Sequence, residues 1–304
     1  MDTQAQDLNA RLVRRIQALS RPLDPLPISV PPSLKLLPGI RAILFDIYGT
    51  MLVSSSGDIG AERKANREDA LLDALTAAGF SGVDRESGKL GVRLLDQNIA
   101  EAHDARRREG IKHPEVEIRE IWRSVIEGLL EAKAVQGPVG EESVCTLAVE
   151  YECRVNPVWP MPHLKETVNA LHGSGRKLGV VSNAQFYTPL TLGAFPETGW
   201  GGGLFDPGLC AWSYKLREAK PSERLVQTAL RRLEESEGIK PSEVLYVGND
   251  MLNDILPADR AGCRTALFAG DGRSFRLREG EPRVAGINPD LVVTDLLQLV
   301  KALV

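Results

Sequence analysis

Cysteine and histidine are both scarce in this chain of 304 residues, with four of each. Cys145, Cys153, Cys210 and Cys263 form no CxxC pair and have no histidine at zinc-finger spacing. They argue against a thiolate metal framework or a dense disulfide scaffold, and a reducing, cytoplasmic setting fits them best. His103, His113, His163 and His172 are scattered without ligand spacing. No apolar run is long enough to cross a bilayer, and the opening MDTQAQDLNARLVRRIQALSRP is amphipathic and broken by charges, without the apolar centre of a signal peptide. The expectation is a cytosolic protein with no membrane partner. An excess of one charge is lacking too: 37 basic against 41 acidic residues give a net charge of -4, which argues against general nucleic-acid binding.

What is present is ordinary for a globular protein, 43% hydrophobic and 26% charged, at a length that suits one large domain or a core with an insert. Residues 5–19 can form a helix with Leu8, Leu12, Val13, Ile16 and Leu19 on one side. The proline-rich RPLDPLPISVPPSLKLLPG then ends it and makes an extended arm, placing an appendage over 1–40. This arm is free to pack on the core or on a second subunit, as in a homodimer. Short apolar runs that read as strands buried on both faces recur at RAILFDIYG, KLGVVSN, GLCAWS, EVLYVGND, RTALFAG and DLVVTD. Between them lie PHLKETVNALHGSG and PSERLVQTALRRLEESEG, each running from proline to glycine as helices do. The alternation predicts an α/β fold, a doubly wound parallel sheet over 41–53 and 156–304. Residues 54–155 break the pattern and read as helices only, clearest in HPEVEIREIWRSVIEGLLEA after Pro114. They predict an inserted all-helical cap over the end of the first strand.

In doubly wound sheets ligands gather at the carboxyl ends of the strands. Four polar signals fall at such ends in order: FDIYGT with Asp46, VVSN with Ser182 and Asn183, AKPSERL with Lys220, and VGNDMLND with Asp250 and Asp254. An aspartate can attack phosphorus or carbon and divide one displacement into two through a covalent ester. Ser182 and Asn183 can donate hydrogen bonds to the reacting group, and Lys220 can offset its charge. Asp250 and Asp254 are four apart at a strand-to-helix junction, so one turn brings both carboxylates to the same side, where they could help hold a hard cation.

These four motifs, in this order and context, resemble those of the haloacid dehalogenase superfamily. The resemblance covers residues 41–53 and about 156–297, with the helical insert matching that family's cap. It implies that Asp46 is the nucleophile and that the substrate is a small molecule, phosphorylated or halogenated. In metal-dependent members it implies magnesium (Mg2+) held by Asp46, the main-chain carbonyl of Tyr48 and a carboxylate of the last motif, Asp250. Asp254 then either ligates through water or orients Lys220.

Tyr48 stands where phosphatases of the family carry a second aspartate that moves a proton, a task worth roughly 10²–10⁴ in rate. Haloacid dehalogenases have the aspartate-x-tyrosine form, because a halide leaves without a proton. The acidic VGNDMLND and the presence of Val226, where those enzymes place a tyrosine, lead instead to magnesium-dependent phosphoryl transfer. Carbon–halogen hydrolysis is the alternative, with Arg63 a candidate halide ligand. A module that binds without turnover is a third reading. Asp58, in the turn SSSGD, is a candidate replacement acid. Trp122 reads as cap packing, and the ARRRE stretch as a solvated face.

Overall fold

The structure, a computed structural model, describes residues 3–55 and 64–303. Asp58 and Arg63 lie outside the described residues.

Six strands form one parallel sheet. They are β1 (Ala42–Phe45), β4 (Lys177–Ser182), β5 (Ala211–Trp212), β6 (Val244–Gly248), β7 (Arg264–Phe268) and β8 (Leu291–Val293), in the order β5-β4-β1-β6-β7-β8. All six are the apolar runs read from the sequence. They are continuous rather than alternating because each face is covered. Ile43 and Phe45 of β1 join Leu178, Val180, Leu245 and Val247 in one core, while Ala42 and Leu44 join Val181, Val244 and Tyr246 in another. β1 is central, and its neighbours β4 and β6 come from later, separate parts of the chain. The carboxyl ends of these three strands therefore share one crevice, the place where the chain order diverges.

Helices cover the sheet: α6 (Leu164–Gly173), α7 (Thr188–Ala194), the short α8 (Ser213–Leu216), α9 (Arg224–Glu237), α10 (Leu256–Arg260) and α11 (Leu297–Leu303). Inserted between β1 and β4 is an all-helical block, α2 (Lys64–Ala77), α3 (Arg85–Arg108), α4 (Ile118–Glu131) and α5 (Glu141–Val155), with a hydrophobic core of its own. Its centre is the stripe Ile121, Trp122, Val125, Ile126 and Leu129 of α4. Each such side chain contributes roughly 1.5–3 kcal/mol on burial. Trp122 is 1% exposed and meets Tyr151 edge-on at 5.0 Å, so it packs as expected. In the ARRRE stretch, Arg106 and Arg107 pair with Glu109 and Asp104 on the surface.

Several element starts differ from the sequence reading. α4 begins at Ile118, not after Pro114, because the intervening chain is extended against the core, with Glu115 N–H donating to Arg217 O. α6 begins at Leu164 after a left-handed His163 (φ 60°), and α9 at Arg224. The sequence also gave no sign of an antiparallel pair, β2 (Leu52–Ser54) with β3 (Val158–Pro160), where the chain enters and leaves the helical block. Three-residue strands, one ending in proline, carry too little periodicity to be seen.

The N-terminal helix α1 (Thr3–Leu19) buries Leu12 and Ile16 in the core of the helical block, packing on both α5 and α7. Gln17 donates to Ala194 O, and Arg15 pairs with the fully buried Glu150 of α5. The proline-rich arm lies on the sheet: Ser33 and Val292 exchange both backbone hydrogen bonds at 2.9 Å, and Leu37 N–H donates to Ala302 O. The arm thereby covers the exposed edge of β8, a surface that would otherwise invite pairing with another chain. Among the described residues no helix is long and apolar enough to cross a membrane.

Candidate active site

The chain leaves β1 through Asp46 and turns at once. Gly49 (φ 85°) takes a left-handed conformation, and a Cβ there would meet Ser274 Cβ at 2.5 Å, so this turn requires glycine. Asp46 is 6% exposed, and its Oδ1 accepts from Ser182 Oγ at 2.9 Å and Lys220 Nζ at 2.7 Å. Among the described residues no donor reaches Oδ2. One carboxylate oxygen is thus fixed and the other left for a ligand.

Lys220 is buried, and its ammonium also donates to Asp254 Oδ1 (2.5 Å), Tyr246 Oη (3.2 Å) and Val181 O (3.3 Å). Burial opposes the charged ammonium, but Asp254 and Asp46 outweigh it and hold the lysine well above its ordinary range. The same burial pushes the Asp254 carboxyl up to about 7, against the pull of Lys220. Two carboxylates share one ammonium, and at Asp254 burial outweighs the pull of that ammonium. Asp254 Oδ2 accepts the backbone N–H of Asp250 at 3.0 Å, so both of its oxygens are occupied.

Asp250 caps the turn over Met251–Ile255 through the N–H groups of Leu252 and Asn253, and also carries the guanidinium of Arg278. Asn183 behaves differently from the sequence expectation of a donor to the reacting group. Its Oδ1 accepts the backbone N–H of Lys220 at 2.7 Å and its amide donates to Lys220 O at 3.4 Å, so its side chain braces the turn after α8 that carries the lysine, which does not itself end a strand. Tyr48 points its hydroxyl at Thr188 Oγ1, 2.9 Å away, and burial, followed by the charge of Glu152, pushes its pKa above the ordinary range. Val226 is fully buried in the core.

Asp46, Tyr48, Asn183, Lys220, Asp250 and Asp254 line one cavity of about 60 Å³, together with Asn249, Asn253, Ser274 and Arg276. A larger cavity of about 480 Å³ opens between the helical block and the core, and Asn183 is common to both. Trp122 and Leu95 form part of its apolar wall, while Glu115, Gln185 and Tyr187 supply polar groups. Burial raises the pKa of Glu115, whose oxygens accept from Val116 N–H, Gln185 Nε2 and Ser213 Oγ.

Sequence reasoning missed Tyr246, Arg276 and Arg278. Tyr246 had a signal, a lone polar tip in an otherwise apolar strand, which when buried needs a partner. Its hydroxyl donates to Val181 O at 2.9 Å. The arginines had none, for nothing in GDGRSFRLREG shows that this loop returns to β6.

A doubly wound sheet that ends a central strand in a buried, lysine-paired aspartate beneath a helical insert defines a class of hydrolase. The chain matches the family model of haloacid dehalogenase-like hydrolases over residues 40–262 and belongs to that family. It is similar to a phosphoglycolate phosphatase of Vibrio vulnificus, 34% identical over 144 residues, which cover 45% of this chain and 54% of that one. A glyceraldehyde 3-phosphate phosphatase of Methanocaldococcus jannaschii is 29% identical over 138 residues, 44% of this chain and 55% of that one. The chain thus spans about half the length of these curated relatives. Among solved structures, a 2-haloacid dehalogenase from Pseudomonas syringae pv. Tomato shares the fold at TM-score 0.53 and 22% identity, covering 86% of this chain and 97% of that one.

Proposed function

We propose that this hydrolase transfers a phosphoryl group from a small phosphorylated molecule to water, with Asp46 as nucleophile and magnesium as cofactor. The observation that carries the proposal is the fixing of Asp46 Oδ1 by Ser182 and Lys220, with Asp46 lining the cavity and Oδ2 free of donors from the described residues. The phosphatases among its relatives support the phosphoryl substrate. In this reading residues 41–53 and 156–304 are the catalytic core, 54–155 the cap, and 1–40 a strap over both.

Asp46 attacks phosphorus through Oδ2 as the bond to the leaving oxygen breaks, the leaving group of an acyl phosphate departing as a carboxylate that needs no proton. Water then opens the phosphoaspartate, its hydrogens leaving with the phosphate as Asp46 is regenerated. Lys220 stays charged and stabilises the oxyanions, held in place by Asp254. Ser182 keeps the nucleophile in one rotamer, and Asn183 keeps the lysine in reach.

The residues lining this cavity can offer oxygens that suit a hard cation, from the carboxylates of Asp46 and Asp250, the main chain of Tyr48 and the amide of Asn249, whose oxygen also accepts from Thr50 Oγ1 at 3.2 Å. Among the described residues no three His, Cys, Asp or Glu side chains form a metal cluster, and Asp250 already carries Arg278, so main-chain and amide oxygens must complete the set. Magnesium bound there would offset the negative charge of the phosphoryl group. Asp254, with both oxygens taken, orients Lys220 instead of ligating.

A second reading, hydrolysis of a carbon–halogen bond, is favoured by Tyr48. With its pKa raised and its hydroxyl on Thr188, it cannot serve as a general base near neutral pH, and a halide leaves without a proton. Phosphate release from phosphoester and acyl-phosphate panels, and halide release from 2-haloacids, each with and without chelator, decide between the two. Chelator-sensitive phosphate release is expected, and chelator-resistant halide release would overturn the proposal. Silence on both panels would leave a binding module.

A further inference from the structure

We propose that Arg276 is a substrate-binding residue whose guanidinium grips the oxyanion of the substrate beside Asp46. The inference rests on the reading of this cavity as a substrate site, but it concerns a residue that no motif of the sequence marks.

After β7 the chain doubles back over the end of β6. Arg276 N–H donates to Asn249 O at 3.0 Å, Met251 N–H donates to Arg276 O at 2.9 Å, and the Asn249 amide donates to Ser274 O. The turn before it is pinned by Asp271, 1% exposed, whose Oδ1 accepts the N–H groups of Leu26 (2.8 Å) and Arg273 (3.1 Å). The backbone beneath Arg276 is therefore fixed from β6, from the turn and from the N-terminal arm.

Arg276 pairs with Asp250 as an isolated bridge, and two residues on Arg278 takes a left-handed conformation (φ 56°). From there its guanidinium reaches Asp250, with Nε 3.0 Å from Oδ1. Arg276 lines the cavity with Asp46 and Lys220, yet among the described residues it forms no ion pair, and its side-chain hydrogen bond runs from Nη1 to the neighbouring Phe275 O at 2.9 Å. A guanidinium has five donors in a planar fork that matches an oxyanion. The other charges of the cavity are matched: Lys220 lies between Asp46 and Asp254, and Arg278 lies on Asp250. An incoming oxyanion meets three carboxylates, and among the described residues lining the cavity Arg276 is the cation that no carboxylate already claims. The ligand is an oxyanion, whether the phosphoryl group of a phosphate ester or the carboxylate of a haloacid.

The test measures the dissociation constant of inorganic phosphate for the full chain by calorimetry in wild type, Arg276→Lys and Arg276→Gln. It also measures KM for whichever panel substrate the wild type turns over. The glutamine variant should weaken phosphate binding or raise KM about tenfold to a hundredfold, the scale of a lost charge-assisted hydrogen bond, with lysine keeping part of the affinity. Because among the described residues the side chain bonds only to its neighbour's carbonyl, both variants should keep the wild-type melting temperature. Equal phosphate affinity and equal KM in wild type and Arg276→Gln would overturn the inference while leaving the phosphatase reading intact. If the wild type releases halide and not phosphate, that reading falls, and the KM for the haloacid judges Arg276: a rise sustains it and no change overturns it. A wild type that neither binds phosphate nor turns over either panel overturns both.

Discussion

Replacing Lys220 by methionine keeps most of the volume and removes the charge, so it isolates what the ammonium does. In the folded protein that ammonium is within 2.7 Å of Asp46 and 2.5 Å of Asp254, both buried. Removing one partner of a buried ion pair costs about 3–5 kcal/mol, because the surviving charge is left in a poor solvent. The cost depends on pH. Burial already lifts the folded pKa of Asp254 from 3.8 to about 7, so the folded state holds this proton more tightly than the unfolded state, and stability falls as pH rises through that window. Without Lys220 the folded pKa climbs further and the fall extends to higher pH. Urea denaturation followed by circular dichroism should therefore give the full loss for Lys220→Met at pH 8 and a smaller one at pH 5.5, where the carboxyl can take up a proton. Adding Asp254→Asn should restore part of the stability at pH 8 while activity stays absent. An equal loss at both pH values, or a double variant no more stable than the single one, would refute the reasoning that two buried carboxylates depend on one ammonium.

Three further outcomes are expected. Asp46→Asn should abolish phosphate release in the panel assay while leaving the melting temperature near or above that of the wild type. Glu115 has a folded pKa raised by burial, so its contribution to stability is lost as pH rises through that pKa. The stability difference between Glu115→Gln and wild type should shift in favour of the variant from pH 4.5 to pH 8, measured by chemical denaturation. Gly49→Ala forces a Cβ against Ser274 at a left-handed φ and should cost about 1–3 kcal/mol in the same assay, with a matching loss of activity as the 270–278 loop is displaced.

Most positions gathered around Asp46 could be read from the sequence because they end or directly follow a strand whose apolar run is unmistakable; Lys220 instead lies in a turn after α8. Once FDIYGT, VVSN and VGNDMLND end parallel neighbours, Asp46, Ser182 and Asp254 must meet. What side chains do after meeting was less legible. Asn183 turned to the backbone of Lys220, and Asp250 took up Arg278, because both choices depend on groups 28 and 37 residues away. Arg276 was invisible for a related reason: its place is set by backbone bonds between a loop and Asn249, and backbone bonds leave no trace in residue type. The arm was visible only as proline-rich chain. Its pairing at Ser33 uses main-chain groups alone.

The docking of α1 has a consequence for how the molecule assembles. Gln17 and Ala194 are 177 residues apart, and Leu12 and Ile16 need α5 and α7 together as a seat. That seat is complete only once the inserted block and the core have both formed and met, so α1 is expected to join late in folding and by a long loop closure. Until then its apolar side is exposed, with Glu150 of α5 lacking its Arg15 partner. A folding intermediate that lacks only α1 would bind a hydrophobic dye and be cut in the proline-rich segment, whereas the finished molecule hides the first and braces the second. A late docking of α1 would then also be the step that ties the helical block, through α5, to α7 of the core.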